Sequence, residues 1–176
     1  EYRNAMPALQ QEIYYITGDN RATLENSPHL EILRTENYDV LLMTDPIDEF
    51  VVSGITEYES KKLESVNKGN VKFDESIQKD LEEKTKKAND DNKDLVELIK
   101  KTLGVKVKDV TFSSRLTESA SCLVSGEYDP SAYMQRVLKA VNKGSPDVPR
   151  TLELNPTHPL LLAMKKLFEK SPDNAK

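Results

Sequence analysis

The stretch DVLLMTDPIDEFVV, residues 39–52, decides the fold of this chain because three structural signals follow one another in it. Its first part, Val40–Met43, is apolar without polar alternation, which is typical of a strand covered on both faces in a parallel sheet. Thr44 and Asp45 then offer side-chain helix caps, and Pro46 suits a first helical position that needs no N–H. The stretch therefore predicts a strand, a tight turn and a helix.

A second strand is predicted upstream of this stretch. The run Ile13–Thr17 is β-branched and aromatic, and it begins about 27 residues before Val40. Two helical segments are predicted between the two strands. The first is Arg21–Asn26, and the second begins at Ser27, which is followed by a proline. Strand, helix and strand at this separation predict a βαβ unit with parallel strands. Leu63–Val66 is a further candidate strand.

The segment Asn67–Asn70 is polar and contains a glycine, and it divides the chain into predicted domains 1–68 and 69–176. The stretch Phe73–Leu103 is strongly charged, and its apolar residues lie mostly three, four or seven positions apart. This spacing predicts one or two long helices with a narrow buried stripe. The sequence NDDN at Asn89–Asn92 is a candidate break, and Gly104 is a candidate terminator.

The last third of the chain has the pattern of a small sheet with helices. Three short strands are predicted there: Val110–Leu116, Ala120–Ser125 and Thr151–Leu154. Asp129 and Pro130 open one helix, and a final helix ends near Phe168. The predicted fold class is thus α/β plus α+β. A small βαβ three-layer subdomain precedes a long charged helix and a C-terminal domain with a short three-stranded sheet and helices.

Composition excludes several classes of function. The chain has 176 residues, of which 37% are hydrophobic and 31% charged, so its core is thin. Its formal net charge of −5 argues against a nucleic acid or an anionic membrane as the main partner. The single cysteine, Cys122, excludes an internal disulfide framework and favours a reducing compartment. No apolar run approaches the roughly 20 residues of a membrane span.

The acidic group after the central strand is the main candidate for enzymatic chemistry. Asp45, Asp48 and Glu49 follow a buried strand, where α/β folds hold Mg²⁺ for phosphoryl transfer. Helix capping and the helix dipole also explain all three carboxyl groups by position. One hypothesis is therefore a small Mg²⁺-dependent α/β enzyme or phospho-acceptor domain centred on Asp45. No catalytic, cofactor-binding or metal-binding set is assigned, since His29 and His158 both lie beside prolines at helix starts.

The helix containing Tyr133 and Val141 carries apolar residues at positions i, i+1, i+4, i+5 and i+8. Such a helix usually packs its stripe into a core. The alternative is an exposed apolar face that holds extended or unfolded chains, with the flexible side chain of Met134 adding adaptability. The pattern alone leaves both interpretations open.

Six runs of sequence together resemble the heat shock protein 90 chaperone family. In order they are IYYITGDNR, NSPHLE, DVLLMTDPIDEFVV, KKLESV, GVKVKDVTFSSRLTESASCLV and LELNPTHPLLL. The first four are similar to the end of that family's middle domain, and the last two to the start and middle of its C-terminal domain. The short linker and the run RLTESASCLV resemble the bacterial, cytoplasmic branch.

The resemblance implies a segment of an ATP-dependent, homodimeric, cytoplasmic chaperone that binds unfolded or partly folded client proteins and links the middle domain to the dimerisation domain. It places the ATP and Mg²⁺ pocket and the catalytic arginine loop upstream of Glu1. This fragment is therefore expected not to be an ATPase. The family continues beyond Lys176 into the helices of the dimer interface, so we expect a monomer or weak dimer whose final helix, Leu160 to Phe168, exposes apolar surface.

The resemblance also implies a first client-binding patch. The bacterial branch has Glu, Trp and Asn there, and the matching positions in this chain are Glu49, Phe50 and Ser53. Phenylalanine keeps the apolar surface but lacks the indole N–H donor, and serine is a shorter polar group than asparagine.

A second client-binding patch, with Met, Leu and Phe in the family, falls on Pro130, Val137 and Leu138. Pro130 departs from the family pattern. Tyr133 and Met134 lie about one helical turn further along. We therefore expect these two residues to replace the contact that the proline does not make.

Overall fold

The computed structural model of the chain describes residues 2–7, 10–69, 71–141 and 147–170. Its helices are α1 Tyr2–Ala5, α2 Arg21–Glu25, α3 Glu31–Thr35, α4 Asp48–Gly54, α5 Glu75–Asp91, α6 Lys93–Leu103, α7 Ala132–Val141 and α8 Pro159–Lys170. Its strands are β1 Ile13–Thr17, β2 Leu41–Met43, β3 Glu57–Tyr58, β4 Lys61–Ser65, β5 Asp109–Phe112, β6 Ser121–Val124 and β7 Thr151–Leu154. The predicted mixed α/β fold class is confirmed.

The chain forms two compact units, each assembled from two segments. Unit 1 comprises Glu1–Glu75 and Ser125–Val148, and unit 2 comprises Ser76–Val124 and Pro149–Lys176. The predicted domains 1–68 and 69–176 concern the organisation of a longer protein, and that division stays a prediction. None of the described helices is both long enough and apolar enough to cross a bilayer.

Unit 1 is built on a four-stranded sheet with the order β2-β1-β4-β3. Strand β1 lies in the middle and pairs in parallel with both β2 and β4, which confirms the predicted βαβ unit. All five residues of β1 are buried, so both faces of this inner strand are covered. This burial explains why the strand is apolar and aromatic without polar alternation. The prediction that the Val40–Met43 run is covered on both faces was wrong, since the residues of β2, at the edge of the sheet, are only half-buried.

The two faces of β1 have different partners because side chains alternate along a strand. Tyr14 points to one face, where its ring lies 5.6 Å from that of Tyr38 and 6.3 Å from that of Phe73, measured between centroids. All three aromatic side chains are buried, so they form part of the core on that side. Tyr15 and Thr17 point to the opposite face, which carries the candidate site described below.

The start of α4 differs from the prediction. The helix begins at Asp48 instead of Pro46, and no side chain caps it. The backbone N–H of Asp45 donates to Oδ2 of Asp48 at 3.0 Å, and the N–H of Asp48 donates to the carbonyl of Asp45 at 3.0 Å. These reciprocal bonds close a turn before the helix, so the proposed capping role of the Asp45 side chain was wrong.

The sequence did not reveal the hairpin between β3 and β4. The two strands pair antiparallel, with Tyr58 opposite Lys61. The two loop residues, Glu59 and Ser60, have φ angles of 48° and 60°. Two residues with positive φ indicate a type I′ turn, for which Asn-Gly is the usual signal. Because Glu59 and Ser60 have no preference for positive φ, the local sequence did not predict the turn.

Replacing Ser60 with glycine is expected to raise the free energy of unfolding by about 0.5–1 kcal/mol, because glycine adopts positive φ without a steric penalty. Urea denaturation followed by tyrosine fluorescence measures the change, since all seven tyrosines lie in unit 1. Ser53→Gly in α4 is the matched control and should lower stability by a similar amount. If Ser60→Gly also lowers stability, the steric penalty of positive φ in the turn does not determine the effect of this substitution.

Unit 2 contains a three-stranded sheet with the order β5-β7-β6, in which β5 and β7 are parallel and β6 is antiparallel to β7. This confirms the predicted short sheet. Strand β5 ends at Phe112, four residues before the predicted end, because the Oγ atom of Ser113 accepts the N–H of Arg115 and turns the chain. The predicted break between α5 and α6 occurs at Asn92, and Gly104 ends α6 with φ of 57°.

The core of unit 2 packs α6 and α8 with its sheet. It consists of Leu95, Val110, Phe112, Leu154 and Leu161, with partly buried side chains around them. The side chain of Asn89 closes the free edge of β5: its Oδ1 accepts the N–H of Phe112 at 2.9 Å and its Nδ2 donates to the carbonyl of the same residue at 3.0 Å. This protects an edge that could otherwise pair with another strand.

Helix α8 buries Leu161 and exposes leucines on both sides of it. Leu161 is 4% exposed, whereas Leu160, Leu162 and Leu167 are 54%, 45% and 53% exposed. The expectation of apolar surface on the final helix is therefore confirmed for the described residues.

Candidate functional site

A groove of about 460 Å³ lies in unit 1, on the face of the sheet to which Tyr15 and Thr17 point. Its floor is formed by side chains of β1 and β4, among them Ser65. One wall is α4. The opposite wall is the segment that leads into α7, together with the first turns of that helix. Besides these floor residues, the groove is lined by Glu49, Val52, Ser53, Thr56, Lys68, Tyr128, Asp129, Pro130, Ser131, Met134 and Leu138.

The groove brings the two predicted patches together. Glu49 and Ser53 of the first patch line the same groove as Pro130, Met134 and Leu138, which belong to the second patch or to its expected replacement. The sequence separates the two sets by about eighty positions, and the hydrogen bond between Glu49 and Ser131 spans 82. Pro130 is thus part of the groove wall even though it departs from the family pattern.

Glu49 is buried, although it was predicted as a client contact. Its side chain is 5% exposed, and Oε1 accepts hydrogen bonds from two hydroxyl groups. One donor is Thr17 Oγ1, at 2.7 Å, and the other is Ser131 Oγ. Ser131 Oγ in turn accepts the backbone N–H of Met134 at 2.8 Å. Glu49 therefore connects β1 and α4 with the first turn of α7.

The apolar stripe of α4 faces solvent. Ile47, Phe50, Val51 and Ile55 are 62%, 50%, 40% and 50% exposed, whereas Val52 and Glu49 are buried. An amphipathic helix normally buries its apolar stripe and exposes its charged residues. Here the acidic side chain is inside and four large apolar side chains are outside. Phe50 therefore lies on an exposed apolar surface beside the groove, and it does not line the groove itself.

Tyr133 supports α7 from within. It is 6% exposed, and burial raises the pKa of its phenol. Its hydroxyl donates to the carbonyl of Thr44 at 3.4 Å, and the guanidinium of Arg136 lies 5.7 Å from its ring centroid. Its ring therefore has little surface to offer to a partner.

The other members of the second patch are more accessible. Met134 and Val137 are half-buried, and Leu138 is 36% exposed. Met134 and Leu138 line the groove, but Val137 does not. The structure thus places two of the four residues predicted on α7 where a bound chain could contact them.

Several groove residues were not predicted from the sequence. Ser131 could have been found, because serine is a common N-cap and Ser131 directly precedes the first residue of α7. The predicted cap at Asp129 and Pro130 was wrong, since the Ser131 hydroxyl makes the bond to the helix. No local signal marked Tyr15, whose phenol pKa is raised by burial, or Tyr128, which is 92% exposed.

The three carboxyl groups near β2 do not converge. Asp45 is exposed, Asp48 accepts the backbone N–H of Asp45, and Glu49 points to Thr17 and Ser131. Within the described ranges, no three His, Cys, Asp or Glu side chains are arranged to hold a metal ion. The open acidic pocket that the Mg²⁺-dependent alternative requires is therefore not formed by these three residues.

Comparisons with known proteins agree on one family. The model of the Hsp90 protein family matches residues 1–176. The chain is 49% identical over 175 residues to the chaperone protein HtpG of Geobacter metallireducens, and 47% identical over 175 residues to that of Geobacter sulfurreducens. Each alignment covers 99% of this chain and 27% of the relative. The chaperone protein HtpG of Dechloromonas aromatica is 42% identical over 165 residues, which are 94% of this chain and 26% of that protein. The chain thus spans about a quarter of the length of these curated relatives.

Proposed function

This chain belongs to the Hsp90 protein family, and from that membership we propose that it is a segment of an ATP-driven molecular chaperone. In this proposal the segment comprises the end of the middle domain and most of the C-terminal domain of a cytoplasmic homodimer. ATP and Mg²⁺ bind to another part of that protein, so the segment itself is not the catalyst of ATP hydrolysis. Its task is to hold unfolded or partly folded client proteins and to link the two domains.

The exposed apolar face of α4 is the observation that carries the client-binding proposal. Unfolded chains present scattered apolar side chains, and a contiguous exposed apolar patch is a typical place for them to bind. The groove beside it adds Met134 and Leu138, and the flexible thioether can adapt to different partners. The client surface is thus composed of the α4 face, with Phe50 at its centre, and the α7 wall of the groove.

Binding at this surface is expected to be modest for one copy of the chain. Burying about 100 Å² of apolar surface contributes only roughly 2.5 kcal/mol before the entropy losses of association. Tight holding therefore needs several patches at once. The proposed homodimer supplies two copies of the surface, and a long client can contact both.

The double variant Phe50→Ser, Leu138→Ser is expected to bind an unfolded protein about tenfold more weakly. The two changes remove exposed apolar surface, and together they should reduce the free energy of binding by roughly 1.4 kcal/mol. The probe is fluorescently labelled lysozyme that has been reduced and carboxymethylated to keep it unfolded. Fluorescence anisotropy measures its dissociation constant, and circular dichroism confirms that the variant is folded.

Leu160→Ser, Leu167→Ser is the matched control, since both leucines are about as exposed as Phe50 but lie on α8 of unit 2. This control is expected to bind like the unmodified chain. Equal loss in both double variants would indicate unspecific apolar adhesion. No loss in either variant would place the client surface elsewhere.

A further inference from the structure

We propose that Glu49 is a positioning residue, which holds the α7 wall of the groove opposite α4 through Ser131 and does not itself contact the client. This inference rests on the proposed function, in which the groove takes part in client binding. It changes the role of Glu49 from a contact on the surface to a support beneath it.

The carboxyl group of Glu49 is already engaged in hydrogen bonds within the protein. Glu49 is 5% exposed, and its Oε1 already accepts bonds from Thr17 Oγ1 and Ser131 Oγ. Both hydroxyl donors are themselves buried, at 4% and 6% exposure. A client group could reach Oε1 only by displacing one of these donors, which would leave a buried hydroxyl without its partner.

Ser131 connects Glu49 to the α7 wall of the groove. Ser131 donates to Glu49 and accepts the N–H of Met134, so one hydroxyl group joins the carboxyl to the first turn of α7. Leu138 lies four residues after Met134 and therefore on the same side of the helix. The position of Ser131 thus sets where both groove-lining side chains of α7 lie relative to Ser53 and Val52.

Two other polar contacts of α7 are weaker than this connection. The ion pair between Arg136 and Asp19 is 2.8 Å long, but both side chains are about half exposed, and such pairs stabilise little. The hydroxyl of Tyr133 meets the carbonyl of Thr44 at 3.4 Å, which is long for a hydrogen bond. Of these three contacts, the buried bond to Glu49 is the one best suited to fix the start of the helix.

Two substitutions of Glu49 distinguish a positioning role from a direct contact with the client. In Glu49→Gln the amide oxygen can still accept from both hydroxyl groups, whereas Glu49→Ala removes the acceptor altogether. We expect hydrogen exchange of the Met134 and Gln135 amides to become about tenfold faster in Glu49→Ala and to stay within about twofold in Glu49→Gln. This measurement contains no client, so it tests the positioning role even if the proposed function fails.

Client binding supplies the second readout. With the unfolded lysozyme probe, Glu49→Ala and Ser131→Ala are each expected to bind about threefold to tenfold more weakly, and their double variant no more weakly than the worse single variant. Glu49→Gln should bind like the unmodified chain. The matched control is Ser113→Ala, since Ser113 is also buried and also accepts a backbone N–H, but it lies in unit 2.

Three results decide the matter. Unchanged exchange at Met134 in Glu49→Ala overturns the positioning role. Equal losses of binding in Glu49→Gln and Glu49→Ala, additive with Ser131→Ala, overturn it in favour of a direct contact through the charge. If the unmodified chain does not bind the probe at all, the proposed function fails, and the exchange rates alone decide the role of Glu49.

Discussion

Replacement of Arg115 with methionine is expected to lower the free energy of unfolding by about 3–5 kcal/mol, because it leaves a buried acidic side chain without its ionic partner. Nη2 of Arg115 donates to Oε1 of Glu153 at 2.7 Å, and the two side chains are only 14% and 10% exposed. Glu153 lies on β7, the central strand of its sheet, so water has little access to the carboxyl group. The large loss of stability arises because the carboxylate of Glu153 stays buried without its ionic partner. It does not measure the net contribution of the ion pair to stability.

Urea denaturation followed by far-ultraviolet circular dichroism measures this effect. Arg21→Met is the matched control, because Arg21 pairs with Glu25 at 2.6 Å on the surface, with side-chain exposures of 79% and 44%. It is expected to change stability by less than about 1 kcal/mol. The double variant Arg115→Met, Glu153→Leu should recover most of the loss, since no buried charge remains. Equal effects at Arg115 and Arg21 would contradict the interpretation.

The second large effect is expected for Phe112→Ala, which should lower the free energy of unfolding by about 3–5 kcal/mol. Phe112 is 2% exposed and packs in the core of unit 2 with Leu95, Leu154 and Leu161. Truncation removes the buried ring and leaves a cavity that the surrounding β-strands can close only partly.

Phe50→Ala is the matched control for this prediction. The same substitution at a ring that is 50% exposed should cost less than about 1 kcal/mol, since most of its surface already faces water. Urea denaturation compares the two variants, with tyrosine fluorescence reporting on unit 1 and circular dichroism on the whole chain. A large loss at Phe50 would show that the ring is needed for folding and would weaken its assignment to the client surface.

Local sequence signals predicted most of the secondary structure. The apolar run of β1 was found because burial of a whole strand leaves a direct mark on composition. The strands β2 and β7 were also found from their sequences, although they are only partly buried. The end of α6 at Gly104 was found because the positive φ there favours glycine. The β3-β4 hairpin was missed because its turn residues, Glu59 and Ser60, have no preference for the conformation that they adopt.

The groove could be predicted only in part. Family resemblance placed Glu49, Ser53 and Leu138 among the site residues, and the structure brings all three to one groove. It could not show that Tyr133 is buried under the groove wall or that Ser131 joins the two walls. These roles depend on hydrogen bonds between segments that are distant in the sequence, and no local pattern encodes them.

The sequence by itself determined the order of most strands and helices, the parallel βαβ unit and the family, and it proposed the candidate patches, since each depends on short-range spacing or on similarity. Only the tertiary structure decided which face of α4 is inside. Periodicity shows that Ile47, Phe50 and Val51 share a helix face, but it does not show whether that face meets a core. Glu49 is drawn inward because hydroxyl groups of β1 and of the segment before α7 meet it there, which leaves the apolar stripe of α4 in water.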